Sequence, residues 1–233
     1  MLLPGAVTTT ALLYDIHGNL PALEAVLADA DADRFLLGGD YALFGPWPSE
    51  TLDALMALPD ATWIRGNGER WTESPDQAPD NEVVQGAIAS CRELLGAERA
   101  GQLAGLPEQV VIEGIRYCHG SPISDVRSFM PDGSDDEPEL LAGVRERRLV
   151  FGHTHLPFRR VAAGGTELIN PGSVGMPFDG DPRAAYALLH DDGSIEHRRL
   201  GYDHAATAAA LGERFQRASW TETVARRIAS SRM

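Results

Sequence analysis

Apolar and polar positions along this chain follow two rhythms, one of period two and one near 3.6 residues. Thr8 to Tyr14 is a β-branched and apolar run that reads as a buried strand. Asn19 suits a helix N-cap and Pro21 a first helical turn, after which Leu20, Leu23, Val26 and Leu27 fall at helical spacing. Arg34 to Leu37 reads as a second strand. The rigid turn from Gly45 to Pro48 leads to a helix with Ser49 as its cap and Leu52, Leu55, Met56 and Leu58 on one face. Ala61 to Ile64 is a third strand. Strand, helix, strand, helix, strand begins a doubly wound sheet, and such sheets bind ligands beyond the C-terminal ends of their strands.

The polar, Pro-containing stretch Thr72 to Glu82 reads as a loop, and Val83 to Leu106 as a helix broken near Gly96. Gln109 to Ile112 and Ile115 to Cys118 flank Glu113 and Gly114 as a hairpin. The acidic run Asp132 to Glu139 reads as a solvated loop, with a lid over a site as its alternative. Leu140 to Arg147 is expected as a short helix, its Arg145, Arg147 and neighbouring Arg148 solvated or in contact with substrate. Leu149 to Phe151 is a strand. Arg159–Ala163, Glu167–Ile169, Ala185–Leu189 and Ile195–Leu200 read as a four-strand antiparallel meander, followed by helices over 203–217 and 220–229. No repeat or linker interrupts the pattern, so residues 1–233 are expected to form one domain, a parallel half feeding an antiparallel half.

Composition narrows the setting. The chain has 233 residues, 43% hydrophobic and 23% charged, which is ordinary for a globular α/β protein. No apolar run is long enough for a membrane span. The first residues lack the charged and small-residue features of a signal peptide. Cys91 and Cys118 lie far apart, so no disulfide framework is expected and a cytoplasmic location follows. With 34 acids against 20 bases the net charge is −14. Long nucleic acid is therefore a poor partner, because that affinity comes from Lys and Arg displacing counterions. A small anionic substrate stays open if bound metals supply local positive charge. Homo-oligomerisation also stays open.

The chemistry lies at the strand ends. Asp15 and His17, Asp40 after Gly39, Asn67 after Gly66, His119 after Cys118, and the pair His153 and His155 each follow an apolar run. Alone, each has a plain alternative: a turn or N-cap aspartate, a turn asparagine of positive φ, a core histidine. Together they form a mixed nitrogen and oxygen set without thiolate, which suits Mn, Fe, Zn or Co better than Ca or Mg. One cation cannot use them all and leave room for substrate. Two cations about 3.5–4 Å apart, sharing Asp40, can polarise a phosphoryl oxygen and lower the pKa of bound water to roughly 7.

In this order the motifs resemble the calcineurin-like metallophosphoesterases. Asp15-Ile16-His17-Gly18-Asn19-Leu20, His119-Gly120-Ser121-Pro122 and Asn170-Pro171-Gly172-Ser173 are similar to the small bacterial and archaeal phosphodiesterase branch. The resemblance implies an α/β fold, a four-layer α/β/β/α sandwich of two mixed sheets with a di-metal site at the strand C-terminal ends. It implies Asp15, His17 and His155 on one metal, Asn67, His119 and His153 on the other, and Asp40 bridging. It further implies hydrolysis of a small phosphoester, a phosphodiester before a monoester, by a metal-bridging hydroxide attacking in line, with Asp40, Asn67 and His119 as the catalytic residues. The cofactors would be two divalent metal ions, Mn first and Fe, Zn, Co or Ni as alternatives. A monoester or protein phosphatase of the same family, or a binding module with a vestigial site, are the alternatives. One departure stands out: many members read Gly-Asn-His, and here the third position is Gly68, followed by Glu69. Glu69 either orients a ligand from behind or faces solvent.

Overall fold

A computed structural model describes residues 8–233, so the signal-peptide reading of the first seven residues lies outside the described part. The first sheet grows from β1 (Thr9–Leu13), β2 (Arg34–Leu37) and β3 (Ala61–Trp63), which pair in parallel with Leu12 opposite Leu36 and Leu37 opposite Trp63. Between them run α1 (Leu20–Asp29), capped by the Asn19 side chain, and α2 (Pro48–Met56). The side chain of Ser49 does not cap α2; its hydroxyl donates instead to the Leu94 carbonyl at 3.0 Å.

α3 covers Asn67–Glu73, so the first two residues of the stretch read as a loop, Thr72 to Glu82, end this helix, and a 3-10 turn follows at Pro75–Gln77. α4 (Glu82–Ala104) kinks at Gly96, whose φ of 75° no helix accommodates. β4 (Gln109–Ile112) and β5 (Ile115–Cys118) form the expected hairpin, with Glu113 and Gly114 both at positive φ as a two-residue hairpin turn of this kind requires. α5 is only Glu137–Leu140, inside the acidic run, and the helix expected over Leu140 to Arg147 is absent. Gly143, with its φ of 80°, interrupts it.

The remaining elements are β6 (Arg148–Val150), β7 (Phe158–Val161), β8 (Glu167–Asn170), β9 (Ala184–His190), β10 (Ile195–Leu200), α6 (His204–Arg214) and α7 (Ser219–Ser230). They do not make a meander. The sheet orders are β10-β9-β1-β2-β3 and β4-β5-β6-β8-β7. β9 joins the first sheet antiparallel to β1, whereas β8 runs parallel to β6 in the second. Each sheet is therefore mixed: the first is parallel from β1 through β2 to its β3 edge and antiparallel through β9 and β10, and the second has a parallel β5-β6-β8 centre between antiparallel β4 and β7.

Period two sorts the core. Leu12 and Tyr14 point between the sheets, where they pack with Leu36, Ile64, Tyr117, Val150 and Ile169. Ala11 and Leu13 point the other way, into the helix layer with Leu23, Val26, Leu55, Ile88 and Trp220. The outer face of the second sheet is covered more thinly, by Phe129 and Leu140 over Leu149, Phe151 and Leu168. The acidic run belongs to this cover. Arg127 pairs with Asp136 and Glu139, and Arg160 of β7 with Glu137, so the run is tied over the second sheet. Arg145, Arg147 and Arg148 line a cleft of about 640 Å³ with Arg34 and His190, at the ends of the strands remote from the ligand motifs. Among the described residues no helix is long and apolar enough to cross a membrane. Both cysteines are buried and free.

Candidate metal centre

All of the sequence-selected residues come together beyond the parallel strands. Asp15 and His17 follow β1, Asp40 follows β2, Asn67 opens α3 after β3, His119 follows β5, and His153 and His155 follow β6. Asn67 is not the positive-φ turn residue its Gly-Asn-Gly setting suggests; it starts a helix. The positive φ values fall elsewhere in the set: Asp15 (53°), His17 (52°), Asp40 (57°), His153 (66°) and His155 (58°). L-residues other than glycine avoid this region, and such strain persists only where surroundings hold it. Here the loops hold each other. Asp15 N–H donates to Gly39 O, His17 N–H to Asp40 O, Gly152 N–H to His119 O and Gly175 N–H to Asp15 O, at 2.7–3.1 Å.

Three imidazoles are oriented by main-chain carbonyls. His17 Nδ1 donates to Leu43 O and His119 Nδ1 to Gly38 O, both at 2.9 Å, and His155 Nδ1 donates to Met176 O at 2.5 Å. A carbonyl can only accept, so each ring carries its proton on Nδ1 and turns Nε2 to the centre. The His17 and His155 Nε2 atoms are 3.1 Å apart. His155 Nε2 is 3.4 Å and His119 Nε2 3.8 Å from Asp15 Oδ1. His17 Nε2 is 3.9 Å from Asp40 Oδ2, and His119 Nε2 3.6 Å from Asp40 Oδ1. Asp40 thus turns one carboxylate oxygen to each side.

The donor set fits cations. Asp15 Oδ1 is fully buried and has no hydrogen-bond partner, although carboxylate oxygens are rarely left so. Asp15, His17 and His155 can close around one ion, and Asp15, Asp40 and His119 around another. The Asn67 oxygen faces His119 Nε2 at 3.0 Å. Turned over, its amide nitrogen would donate to that atom and to His153 Nδ1 at 2.8 Å. Hydrogen bonding alone favours the turned amide; a cation favours the oxygen-inward orientation present.

Electrostatics agree. Burial pushes the His17 pKa down to about 3 and that of His153 to about 4, so both are neutral and ready to ligate. Burial drives Asp15 up, but His155, His119 and His17 outweigh it and hold the carboxyl below its usual range. Burial, with Glu69 and Asp15 nearby, raises Asp40. Burial lowers His119, and the facing Asp40 and Asp15 outweigh it to raise its pKa. A pair of carboxylates that draws a proton onto a buried imidazole also draws a cation.

Further residues support the set from behind, and of the two readings the sequence left for Glu69 the structure takes the buried one. Glu69 is only 2% exposed. Its carboxylate accepts from the Asp40, Tyr41 and Gly66 N–H groups at 2.8–2.9 Å, so it ties the Asp40 loop to the Asn67 turn from behind. Ser173 donates to the Asp15 carbonyl at 2.7 Å, and Asn170 to the Gly152 carbonyl at 3.1 Å. The Asn-Pro-Gly-Ser turn therefore props the ligand loops. Phe178 stacks on His155 at 4.4 Å and 11°. Gly68 N–H donates to Asp40 Oδ1 at 2.7 Å, and a Cβ there would lie 2.9 Å from the same oxygen. A side chain at this position displaces Asp40 or is displaced by it. Trp71 is nearly buried, but its edge lines a cleft beside His153.

A two-sheet sandwich that gathers imidazoles, carboxylates and one amide at its strand ends defines a metal-dependent hydrolase. A family model for the calcineurin-like phosphoesterase superfamily domain matches residues 9–194, and the chain belongs to that superfamily. It is 33% identical over 189 residues to the phosphodiesterase YfcE of Escherichia coli, covering 76% of this chain and 85% of that protein. To protein MJ0912 of Methanocaldococcus jannaschii it is 29% identical, covering 83% and 87%. Among solved structures, a metallophosphoesterase from Sphaerobacter thermophilus superposes with a TM-score of 0.80 at 27% identity, covering 97% of this chain and 99% of that one. The family works with divalent metals on small phosphoester substrates.

Proposed function

We propose that the chain hydrolyses phosphodiesters in preference to monoesters, with a pair of divalent cations held at this centre. The supporting observation is the buried, partnerless Asp15 Oδ1 amid inward-turned imidazoles. Asp15, His17 and His155 would hold one cation, and Asn67, His119 and His153 the other. Asp40, with an oxygen toward each side, would join them. Mn is the first candidate, with Fe, Zn, Co and Ni behind it, because the set mixes nitrogen and oxygen without thiolate. Cations held there act as Lewis acids on a phosphoryl group and make water a nucleophile near neutral pH.

The chain's own residues then orient and select. Asn67 and His119 would act catalytically through the cation they hold, His119 with its Nδ1–H spent on Gly38 O, and Asp40 is held for a bridging role by Gly68 N–H and, through its own N–H, by Glu69. With glycine at position 68 no imidazole donates a proton to the leaving group there. Losing such a donor costs typically about 10²–10⁴-fold, so esters with good leaving groups are preferred. The net charge of −14 opposes long polynucleotides. Ligands come from both sheets, so the chain acts as one catalytic domain, and its free, buried cysteines suit a reducing cytoplasm.

Protein loaded with Mn should hydrolyse bis(4-nitrophenyl) phosphate, and elemental analysis should find bound metal. Asp40→Asn should abolish turnover. Hydrolysis that survives both chelation and Asp40→Asn overturns the reading.

A further inference from the structure

Arg70 lies one turn into α3, two residues beyond Gly68. Its Nε and Nη2 donate to Asp125 Oδ2 and Oδ1, both at 2.7 Å, and its Nη1 donates to Gln77 Oε1 at 3.1 Å. These bonds leave an N–H on each terminal nitrogen. The two ion-pair side chains are 21% and 18% exposed, so the guanidinium is fixed yet reachable. Two clefts meet at it. One, of about 370 Å³, is polar and includes Arg65, Gln109, His119, Ser121 and Ser124. The other, of about 420 Å³, is apolar and includes Trp71, Ala78, Pro79, Val126 and His153. Arg70 lines both, and each holds one imidazole of the Asn67 side.

A guanidinium clamped on one edge loses little freedom when its remaining N–H groups meet an anion, and its planar fork matches phosphoryl oxygens. Resting on the phosphoesterase reading above, we propose that Arg70 is a substrate-binding residue for a phosphodiester with unlike arms. It donates to a non-reacting phosphoryl oxygen. A polar arm lies in the cleft of His119 and Ser121, and an apolar or aromatic arm in the cleft of Trp71 and Pro79.

The test uses the full chain loaded with Mn and two substrates: thymidine 5′-(4-nitrophenyl) phosphate, with one polar and one aromatic arm, and the monoester 4-nitrophenyl phosphate. Arg70→Ala should lower kcat/KM for both by about 10²-fold, the cost of losing one charge-stabilising donor, with metal content unchanged. It should also weaken binding of dimethyl phosphate, measured by calorimetry, by about tenfold, or about 1.4 kcal/mol. Arg70→Lys keeps the charge without the fork, so it should fold and recover only part of the loss. Ala78→Trp, which fills the apolar cleft, should raise KM for both aryl esters by about tenfold, because the 4-nitrophenyl arm of each lies there, and should leave the binding of armless dimethyl phosphate unchanged. Unchanged kinetics in Arg70→Ala, or a loss matched by lost metal, overturns the role of Arg70. An unchanged KM for both aryl esters, or weakened dimethyl phosphate binding, in Ala78→Trp overturns the two-arm placement. A wild type that hydrolyses neither ester overturns the phosphoesterase reading and this proposal with it; an active wild type leaves only the proposal at stake.

Discussion

The two sides of the centre are built differently. On the Asp15, His17 and His155 side, imidazoles are wedged between aromatic rings, Phe178 flat against His155 and Phe44 tilted 5.7 Å from His17. Ser173 and Asn19 tie the surrounding chain, the latter donating to Gly175 O at 2.7 Å. On the Asn67, His119 and His153 side, the neighbours are Arg70, Asp125 and Gln77, and both clefts open there. The candidate ligands are nearly all buried, His17 and His155 at 3% and 5% and Asn67 and His119 at 2% and 1%, so the contrast lies in what surrounds them. On the proposed reading the difference divides labour: the side backed by aromatic rings would anchor a cation, and the side bordering the clefts would meet the substrate.

Three substitutions break or sharpen that contrast. The largest effect is expected at the tie between the sides. Glu69→Ala strands the Asp40, Tyr41 and Gly66 N–H groups, and a buried donor left without a partner costs about 1–3 kcal/mol. At roughly 2–4 °C per kcal/mol for a chain of this size, thermal melting should fall by about 10 °C or more, and both sides should lose metal together. Next comes Gly68→Ala, whose methyl would lie 2.9 Å from Asp40 Oδ1. Activity should drop about 10–100-fold, as for other residues that position metal ligands, with melting little changed. The smallest effect is Phe178→Ala, which removes a ring stack worth about 0.5–1.5 kcal/mol beyond its buried area. Titration with Mn should show one of two equivalents weakened by up to about tenfold, while KM for the diester is unchanged. Equal weakening of both equivalents would erase the distinction between the sides.

The strands and the ligand positions were legible because both follow from local pattern. Apolar runs end where polar residues begin, and each candidate ligand sits at such an end. Pairing was not legible. Glu167–Asn170 and Ala184–His190 look alike as short apolar strands, yet one lies beside β6 and the other beside β1. Nothing in their alternation names a partner; the chain between them changes sheets while propping the Asp15 loop through Ser173. α3 was hidden because Gly66-Asn67-Gly68 has turn composition, and tertiary bonds to Glu69 and Asp40 override it. For Glu69 the sequence left two readings, and only its bonds to three main-chain N–H groups choose between them. Arg70 and Asp125, 55 positions apart, show no relation until the fold joins them.

The positive φ values at Asp15, His17, Asp40, His153 and His155 bear on engineering. A designer who copied these side chains onto ordinary strand ends of another scaffold would aim them wrongly, because handedness of the main chain sets their direction. Mirror-image residues, for which this region is ordinary backbone, would sit in these loops more comfortably than the natural ones. What must be transplanted is the set of interlocked loops, with its carbonyl-to-amide stitching intact; the candidate metal ligands travel with it as passengers.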